Sequence, residues 1–416
     1  MKYLIIGNSA AGINAADAIR TLDKKGAVTI VSNEEFPAYG RPLISYFLSG
    51  KVKAENMNYR DDNFYSSRNI ELFLNTEAEK VDAVNKKVTL KGGKKLDYDK
   101  LLIASGSSPF VPPIKNLKSQ KNVFTFLTYK DSIKLKETIK KDSKVIIAGA
   151  GLIGLKAAEG LYGQAAKITV IDLADRVMSS VLDKTAADII ENHIKEKGIE
   201  IIHGVSIEEV EGKEKINKVK FSNGDVCGCD ILIIAIGVRP NIKLAVDAGI
   251  KTARAIIVDE YMQTSRKDVY AAGDCVESLD MLSNENKVLA LWPNASAQGE
   301  TAGFNMTGKM RKAPASFAMN AISFFGMQLI SAGIVNGGEN SSFCDARAGK
   351  LRRLNIANDN LIGFVLINDN QRAGIYTALI NDRTKLSCLE YDIKQKDIGL
   401  NIYPKETRKG KAWGRI

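Results

Sequence analysis

Histidine and cysteine, which carry much of the catalytic and metal-binding chemistry of proteins, are scarce in this chain. His193 and His203 are the only histidines in 416 residues, which argues against a histidine-based catalytic centre or a zinc enzyme. The five cysteines are scattered: Cys227, Cys229, Cys275, Cys344 and Cys388. One close pair supports neither a disulfide scaffold nor an iron–sulfur cluster with four thiolate ligands. The sequence therefore predicts no metal site, and any redox chemistry must come from an organic cofactor.

Long apolar runs are absent as well. No stretch approaches the roughly 20 apolar residues that cross a bilayer. The chain opens directly into the strand-like Lys2–Gly7 rather than into a signal peptide. We therefore expect a cytoplasmic protein without a membrane span.

Basic residues outnumber acidic ones, 59 to 48, for a net charge of +11. Most are dispersed, as in Lys86–Lys87 and Lys140–Lys141, which is typical of a solvated surface and predicts no nucleic-acid partner. Only the tail, Lys405–Arg415, concentrates charge, with five basic residues against Glu406. This tail is either a disordered end or a surface that attracts an acidic partner.

Strands and helices alternate along the first two thirds of the chain, where one βαβ plan occurs twice. The first copy is Tyr3–Ile6, Ala10–Leu22 and Val28–Val31, and the second is Val145–Ala148, Leu152–Leu161 and Ile168–Ile171. Two copies of this plan predict an α/β fold with two Rossmann-like nucleotide-binding domains.

Three other segments show how these domains are connected. Val81–Tyr98 alternates in hydrophobicity and contains Gly92–Gly93, as a hairpin would, and Pro109–Pro113 is typical of a crossover between domains. After Pro314 the chain changes to glycine-rich turns and short strands such as Leu361–Ile367. This change predicts an α+β domain at the C-terminal end.

The first βαβ copy carries a dinucleotide-binding fingerprint with one substitution, Gly7-Asn8-Ser9-Ala10-Ala11-Gly12. Gly7 permits a tight turn, Gly12 lets helix and strand pack closely, and the amides at the start of the helix attract a pyrophosphate. Ser9 replaces the second glycine, so a βαβ turn without a nucleotide is an alternative. Of the two acids that follow the second strand, we take Glu34 as the acceptor for ribose hydroxyls.

The second copy carries a complete fingerprint, Gly149-Ala150-Gly151-Leu152-Ile153-Gly154, between its strand and its helix. Asp172 ends the next strand, where a carboxylate accepts hydrogen bonds from the adenosine ribose and repels a 2′-phosphate. This residue favours NADH over NADPH. Arg176 is close enough in sequence to bind such a phosphate, but we expect it to pair with a nearby carboxylate.

A third motif, Asp268–Cys275, places Asp274 after a glycine at the end of an apolar strand. Two linking segments, Tyr98–Gly106 and Asp230–Pro240, stand between the three motifs. This order of motifs, over residues 1–310, resembles the FAD-dependent pyridine nucleotide-disulfide oxidoreductases. The resemblance implies that Asp274 holds the ribityl chain of FAD and that the linking segments return the chain between an FAD domain and an NAD domain.

Three more segments narrow the resemblance: Tyr39–Tyr46, Leu291–Ala295 and Asn320–Gly326. They resemble the NADH:rubredoxin reductases and the flavoprotein portion of NADH-dependent nitrite reductases. The implied architecture is a split FAD-binding domain (residues 1–112 and 243–314), an inserted NAD-binding domain (113–242) and a C-terminal α+β domain with a basic tail (315–416).

The resemblance also implies two sets of cofactor-binding residues. FAD is expected to contact Gly7, Ser9, Ala10, Ala11, Gly12, Glu34, Arg41, Pro42, Ala78, Ser105, Gly106, Asp274, Trp292, Pro293 and Ala295. NAD(H) is expected to contact Gly149, Gly151, Leu152, Ile153, Gly154, Asp172 and Gly237. Ala295 is expected to begin a helix whose positive N-terminus faces the flavin.

Three departures from the family pattern bear on the mechanism. No cysteine lies in Arg41–Gly50, where disulfide reductases place their redox thiol, so we expect electrons to leave the flavin without a thiol relay. Tyr46 and Lys156 replace a lysine and a glutamate of related ferredoxin reductases. Lys156 is therefore a candidate catalytic residue near the flavin and the nicotinamide, with a merely structural role as the alternative.

Together these features predict an enzyme, an NADH-dependent flavoprotein reductase with FAD and NAD(H) as cofactors. We expect it to pass electrons to a separate, acidic iron–sulfur or rubredoxin-type protein, because the chain encodes no iron centre of its own. Two alternatives stay open. In the first alternative the chain is the NADH-handling FAD subunit of a larger redox complex. In the second it is a non-catalytic FAD-binding module.

Overall fold

The computed structural model describes residues 1–117, 120–345, 347–395 and 398–412. The chain divides into two compact units. The first unit comprises Met1–Phe110, Leu127–Lys134 and Val238–Ser316, and the second comprises Val111–Phe126, Leu135–Gly237 and Phe317–Ile416. Each unit is thus assembled from segments that are far apart in the sequence.

The described residues form 26 strands, most of them short, and ten α-helices. The strands are β1 (Lys2–Ile6), β2 (Ala27–Val31), β3 (Ile70–Phe73), β4 (Ala78–Asp82), β5 (Lys87–Leu90), β6 (Lys95–Asp97), β7 (Lys100–Ile103), β8 (Ser107–Pro109), β9 (Val123–Thr125), β10 (Lys144–Ala148), β11 (Lys167–Asp172), β12 (Glu200–His203), β13 (Ile207–Glu211), β14 (Lys218–Phe221), β15 (Val226–Gly228), β16 (Ile231–Ile234), β17 (Val238–Pro240), β18 (Ile256–Ile257), β19 (Val269–Ala271), β20 (Val276–Asp280), β21 (Glu285–Lys287), β22 (Met319–Phe324), β23 (Met327–Gly333), β24 (Glu339–Asp345), β25 (Lys350–Ala357) and β26 (Asn360–Ile367). The α-helices are α1 (Ala10–Leu22), α2 (Ile44–Leu48), α3 (Phe64–Ser67), α4 (Tyr129–Thr138), α5 (Leu152–Leu161), α6 (Lys184–Lys195), α7 (Lys243–Asp247), α8 (Trp292–Met306), α9 (Ala373–Asn381) and α10 (Lys405–Ala412). In the part of the chain that the structure describes, no helix combines the length and the apolar character needed to cross a membrane.

The core of the first unit is a five-stranded parallel sheet with the strand order β19-β7-β1-β2-β3. The central strands β1 and β7 are short apolar runs that are almost entirely buried, as is typical of parallel sheets covered on both faces. The predicted strand–helix–strand start is confirmed, since β1, α1 and β2 begin and end within one residue of the predicted bounds.

Helix α1 lies against α8, and glycines bring the two backbones together. A Cβ atom added at Gly299 would lie 2.1 Å from the carbonyl oxygen of Ala11, and one at Gly303 would lie 2.5 Å from that of Ala15. From the first of these contacts to the second, the residue number rises by four on each helix, so the two helices run in the same direction. α8 begins seven residues before Gly299, whereas α1 begins one residue before Ala11. At a rise of 1.5 Å per residue, α8 extends about 9 Å beyond the start of α1.

The second unit contains a five-stranded parallel sheet of the same plan, with the strand order β12-β11-β10-β16-β9. In each unit, a three-stranded antiparallel sheet separates the third strand of the motif from the fourth: β4-β5-β6 in the first unit and β13-β14-β15 in the second. The turn between β5 and β6 includes Gly92 and Gly93, both with positive φ, in agreement with the predicted hairpin. The internal repeat therefore extends well beyond the βαβ motif.

Strands β8 and β17 lie where the chain passes from one unit to the other. β8 stands just before the boundary at Phe110, and β17 begins at the boundary at Val238. The two strands pair antiparallel over three residues each. The segment that the sequence marks as a crossover, Pro109–Pro113, thus coincides with a change of unit.

The C-terminal part of the second unit is an antiparallel sheet with the strand order β22-β23-β26-β25-β24, against which α9 packs. The predicted strand Leu361–Ile367 is part of β26. The basic tail begins as α10, where Arg408 donates hydrogen bonds to the carbonyl oxygens of Tyr403 (2.6 Å) and Asn401 (2.9 Å). Residues 413–416 lie outside the described residues.

Candidate functional site

The turn between β1 and α1 leaves no room for side chains at two glycines. Gly7 has a φ of +116°, and a Cβ atom there would lie 2.0 Å from the carbonyl oxygen of Ala104. A Cβ atom at Gly12 would lie 1.9 Å from the carbonyl oxygen of Gly7. Ser9, the N-cap of α1, has a φ of −121° and makes no side-chain capping hydrogen bond. The serine side chain therefore leaves the first amides of α1 uncapped, so that they can bind an anionic group.

Glu34 follows β2 and is held by the segment that contains Arg41. Its Oε2 accepts a hydrogen bond from the hydroxyl of Tyr39 at 2.6 Å, and its Oε1 pairs with Nη2 of Arg41 at 2.5 Å. Burial raises the pKa of Tyr39, so its hydroxyl stays protonated and donates to Glu34. Arg41 also donates to the carbonyl oxygen of Leu127 at 2.9 Å. Two of the predicted FAD contacts, Glu34 and Arg41, thus form one ion pair.

Asp274 follows β19 at the edge of the sheet where α1 begins. The strands β19, β7 and β1 are parallel neighbours, so their carboxyl ends meet at one edge, which is where ligands bind in such sheets. A Cβ atom added at Gly273 would lie 3.2 Å from the Cβ atom of Ala11 and 3.7 Å from that of Ala295. The structure thus brings the Asp274 loop together with the starts of α1 and α8.

The linking segments supply further polar contacts at this edge. The hydroxyl of Ser107 donates to the carboxylate of Asp274 at 3.1 Å, and burial raises the pKa of that carboxyl group although the hydrogen bond opposes the rise. Ser105 donates to the carbonyl oxygen of Asn241 at 2.7 Å, and the side-chain amide of Asn241 donates back at 2.8 Å. The backbone amide of Asn241 donates to the carbonyl oxygen of Gly106. Sequence reasoning missed Asn241, although it directly follows the second linking segment.

The other predicted FAD contacts also lie in the first unit. Ala10, Ala11 and Ala295 are buried, Ala78 and Trp292 are half-buried, and Pro42 and Pro293 are exposed. Helix α8 begins at Trp292, so the expectation that Ala295 begins this helix is wrong. Pro293 suits the first turn because its fixed φ matches the helix and its missing N–H has no partner to lose there.

The turn between β10 and α5 repeats the geometry of the turn between β1 and α1. We call the β1–α1 turn with the start of α1 the first cradle, and the β10–α5 turn with the start of α5 the second cradle. Gly149 has a φ of +113°, and a Cβ atom there would lie 2.3 Å from the carbonyl oxygen of Ala235. A Cβ atom at Gly154 would lie 1.8 Å from the carbonyl oxygen of Gly149. Gly151, the N-cap, has a φ of −81° and open space around its added Cβ atom. Helix α5 then begins with the half-buried Leu152–Ile153.

Asp172 ends β11 and is oriented by backbone amides. Its Oδ2 accepts a hydrogen bond from the amide of Ala150 at 2.6 Å, and its Oδ1 accepts one from the amide of Ala174 at 2.8 Å. Each oxygen keeps a second lone pair for a further donor. Arg176 pairs with Asp175 at 2.7 Å, in agreement with the expectation that it binds a nearby carboxylate.

Lys156 forms an ion pair with Glu159, and both side chains are nearly buried, at 12% and 8% exposure. Its Nζ also donates to the carbonyl oxygen of Ser323 at 3.3 Å. Oε1 of Glu159 accepts a hydrogen bond from the amide of Phe325 at 2.9 Å, and Nε2 of His193 donates to the carbonyl oxygen of Phe325 at 3.3 Å. These contacts tie α5, and His193 of α6, to the end of β22 and the turn that follows it, and they favour the structural role for Lys156. Sequence reasoning missed Glu159, although its spacing of three residues from Lys156 is a signal for a helical ion pair.

The two buried thiols are in environments that suppress their reactivity. Burial raises the pKa of Cys275, and it raises the pKa of Cys229 to about 12. The thiolate is the reactive form of cysteine, so neither side chain is poised for nucleophilic or redox chemistry near neutral pH.

Both cradles have the donors and the clearance that a dinucleotide requires. Each begins a helix whose first amides are uncapped by a side chain, and each has two glycines that admit no Cβ atom. Each also has a carboxylate after the neighbouring strand, Glu34 or Asp172. Gly237, which follows β16, has a φ of +126° and open space around it. The residues present therefore fit the pyrophosphate and ribose groups of FAD and NAD(H).

Known proteins resemble this chain over most of its length. A family model described as pyridine nucleotide-disulphide oxidoreductase matches residues 1–299. Subunit epsilon of the NADH-dependent phenylglyoxylate dehydrogenase of Aromatoleum evansii is 30% identical over 394 residues, which cover 93% of each chain. An NAD(P)H nitrite reductase of Bacillus subtilis (strain 168) is 29% identical over 391 residues, which cover 93% of this chain and 48% of that protein. The crystal structure of NADH:rubredoxin oxidoreductase from Clostridium acetobutylicum matches with a TM-score of 0.77 at 25% identity, covering 95% of this chain and 97% of that chain.

These similarities agree with the motifs. The family match extends over both cradles, and the relatives include the two groups of reductases that the motifs indicate. The prediction of an NADH-dependent flavoprotein enzyme that uses FAD and NAD(H) is confirmed. The chain belongs to the pyridine nucleotide-disulphide oxidoreductase family.

Proposed function

We propose that this chain passes electrons from NADH, through FAD, to a separate iron–sulfur or rubredoxin-type protein. The observation that carries the proposal is the presence of two dinucleotide cradles on one chain, one in each compact unit. When bound, FAD accepts two electrons from NADH and can release them singly to an iron centre. The contribution of the chain is to bind and orient the two nucleotides.

The first unit is the proposed FAD site. The amides at the start of α1 bind the pyrophosphate, Asp274 accepts hydrogen bonds from the ribityl chain, and Glu34 accepts from the ribose. Arg41 and Tyr39 hold Glu34 in place for this task. The proposed FAD-binding domain comprises residues 1–112 and 243–314.

The second unit contains the proposed NAD(H) site, in a domain of residues 113–242, followed by a C-terminal domain of residues 315–416. The amides at the start of α5 bind the pyrophosphate, and Asp172 binds the adenosine ribose. Because Asp172 is fixed by two backbone amides, its carboxylate cannot turn away from a 2′-phosphate. This geometry supports a preference for NADH over NADPH.

Three further observations support a protein acceptor. The segment Arg41–Gly50 contains no cysteine, so electrons have no thiol relay there and must pass directly from the flavin. The likeness to a rubredoxin oxidoreductase extends over 95% of this chain. The net charge of +11 also suits the docking of a small acidic protein.

An anaerobic assay tests this function. NADH should bleach the flavin absorbance, and a panel of rubredoxins and ferredoxins should include at least one protein that restores it rapidly. Electron transfer to that protein should slow with added salt, because salt screens charges on a length of about 3 Å near 1 M. Failure of NADH to bleach the flavin rejects the function. Bleaching without transfer to any iron protein rejects the acceptor class.

The match with a dehydrogenase subunit favours a second candidate function. The alignment covers 93% of this chain and 93% of that subunit. The chain is therefore also a candidate for the NADH-handling FAD subunit of a larger redox complex. Native purification separates the two functions. A stoichiometric iron–sulfur subunit that co-purifies supports the complex, whereas an isolated flavoprotein that reduces free rubredoxin supports the first function.

A further inference from the structure

Tyr59 contacts both helices that border the first cradle. Its ring packs edge-to-face on Trp292, with ring centroids 5.1 Å apart at an interplanar angle of 88°. Its hydroxyl oxygen accepts a hydrogen bond from Nδ2 of Asn14 at 3.3 Å and another from Ser296. Asn14 lies on α1, whereas Trp292 and Ser296 lie in the first turns of α8. Tyr59 therefore links the start of one helix to the start of the other.

Arg60 fixes the orientation of Tyr59. The guanidinium Cζ lies 4.3 Å from the centroid of the Tyr59 ring, and Nη2 donates to Oδ1 of Asn14 at 3.0 Å. Burial raises the pKa of Tyr59, but the hydrogen bonds from Asn14, Ser296 and Arg60 and the charge of Arg60 lower it overall. The hydrogen bonds to the phenol oxygen and the guanidinium over the ring restrict the rotation of the Tyr59 side chain, so its contact with the indole is fixed as well.

Trp292 stands on the part of α8 that extends beyond α1. It is the first residue of α8, and that overhang is about 9 Å long at 1.5 Å per residue. The uncapped amides of α1 mark the position of a pyrophosphate. The Asp274 loop lies against the same two helix starts, since Gly273 adjoins Ala11 and Ala295. The indole therefore borders the region that FAD occupies in the proposed function.

We propose that Tyr59 is a positioning residue that holds the indole of Trp292 against bound FAD. The proposal rests on the assignment of FAD to the first unit. Tyr59 acts only through Trp292 and takes part in no bond change. Without the Tyr59 ring the indole is free to turn away, so that water reaches this side of the cofactor and the contact is lost.

The tryptophan content of the chain makes this testable by fluorescence. The chain has two tryptophans, Trp292 and Trp413, and the second lies outside the described residues. A Trp413→Phe protein therefore reports on Trp292 alone. In this background, FAD should strongly quench the indole fluorescence. Tyr59→Ala should restore part of that fluorescence and raise the Kd for FAD by about twofold to tenfold, the range that one aromatic contact accounts for.

Two further variants sharpen the test. Tyr59→Phe keeps the ring contact with Trp292 but loses the hydrogen bonds to the hydroxyl, so its quenching and FAD affinity should lie between those of the parent protein and those of Tyr59→Ala. Tyr261→Ala removes another half-buried tyrosine of the first unit, whose ring lies 6.0 Å from Nζ of Lys312, and should not change the quenching. Tyr59→Leu is measured in the same way if Tyr59→Ala does not fold, because leucine keeps more of the bulk.

Each outcome bears on one claim. If FAD binds stoichiometrically but leaves the Trp292 fluorescence of the parent unquenched, the assignment of FAD to this site is overturned. The part of the proposed function that places FAD in the first unit is then wrong. If the parent is quenched and the Tyr59 variants are quenched equally, only the positioning role is overturned. An equal loss of FAD in Tyr261→Ala also overturns it, because the effect is then one of general stability.

Discussion

The parallel sheets of the two units follow one plan, but the fifth strand comes from a different part of the sequence in each. It follows the other four strands in the first unit and precedes them in the second. In the first unit the fifth strand is β19, which comes after the second-unit segment Leu135–Gly237 and pairs with β7. In the second unit it is β9, which precedes the βαβ motif and pairs with β16. The equivalent edge is therefore filled by a parallel strand in both cases. The comparison teaches that two different chain connections produce the same parallel pairing at this edge.

The two cradles show which glycines the protein itself requires. Added Cβ atoms at Gly12 and Gly154 would lie 1.9 and 1.8 Å from backbone oxygens, so both positions exclude any side chain. The middle position differs, because it is Ser9 in one cradle and Gly151 in the other. Gly151 has open space around its Cβ direction and a negative φ. A side chain at the middle position is thus acceptable to the protein, and only the approach of a nucleotide restricts it.

The carboxylates of the two cradles are held in different ways. Glu34 is held by the side chains of Tyr39 and Arg41, whereas Asp172 is held by two backbone amides. The partners of Glu34 lie five and seven residues further along the same loop, whereas Asp172 takes one amide from its own loop (Ala174) and one from the turn before α5 (Ala150). The second carboxylate is therefore held directly by the glycine-containing turn, and the first is not.

The largest effects on nucleotide binding should come from the glycines that both cradles share. Gly12→Ala should yield protein without FAD, and Gly154→Ala should retain FAD but bind NADH tenfold to over a hundredfold more weakly, since overpacking costs about 1–3 kcal/mol or more. Flavin absorbance and calorimetric titration with NADH measure the two losses. Gly151→Ala is the control that should fold normally and keep its FAD. Normal NADH affinity in Gly154→Ala would contradict the shared steric requirement.

A change in stability rather than in nucleotide binding is expected at the ion pair of Lys156 and Glu159 on α5. Lys156→Met leaves Glu159 buried without its cation, which should reduce the free energy of unfolding by about 3–5 kcal/mol. Denaturant unfolding measures the loss, and Lys156→Met combined with Glu159→Leu should recover most of it. If Lys156→Met is instead as stable as the wild type and NADH no longer reduces its flavin, Lys156 is catalytic and the structural role is wrong.

A loss in NADH binding comparable to that of Gly154→Ala is expected at the acid of the second cradle. Asp172→Ala should raise the KM for NADH about tenfold to over a hundredfold, because a hydrogen bond to a charged group contributes roughly 1.5–3 kcal/mol. The KM for NADPH should rise less, since the repulsion of the 2′-phosphate is removed as well. Steady-state kinetics with both nucleotides test this, and an unchanged NADH/NADPH ratio would remove Asp172 from the ribose site.

The smallest effect is expected from the cysteines. Replacing all five by alanine or serine should leave turnover of the folded protein near wild type, because the raised pKa values of Cys229 (about 12) and Cys275 keep both buried thiols protonated at neutral pH. Reductive titration checks the same point and should show two electrons taken up per FAD. Four electrons per FAD, or a thiolate–flavin charge-transfer band, would show that a thiol relay exists.

The sequence by itself determined the two βαβ units, their bounds to within one residue and the class of enzyme. This was possible because the signals are local: apolar periodicity defines each strand and helix, and a tight turn with positive φ requires glycine at fixed spacing. The order of the motifs along the chain added the family. Hence both cradles and the carboxylates after them were predictable before any contact was known.

Only the tertiary structure decided how these parts are held. The pairing of Glu34 with Arg41, the contact of Glu159 with Phe325, and the bonds of Asn241 to Ser105 join residues that no local pattern relates. The parallel packing of α8 on α1 likewise depends on glycines nearly 300 positions from the first fingerprint. Such contacts depend on which surfaces the folded chain brings together. Hydrophobic periodicity indicates that one face of a helix or strand is buried, but it does not indicate which other element covers that face.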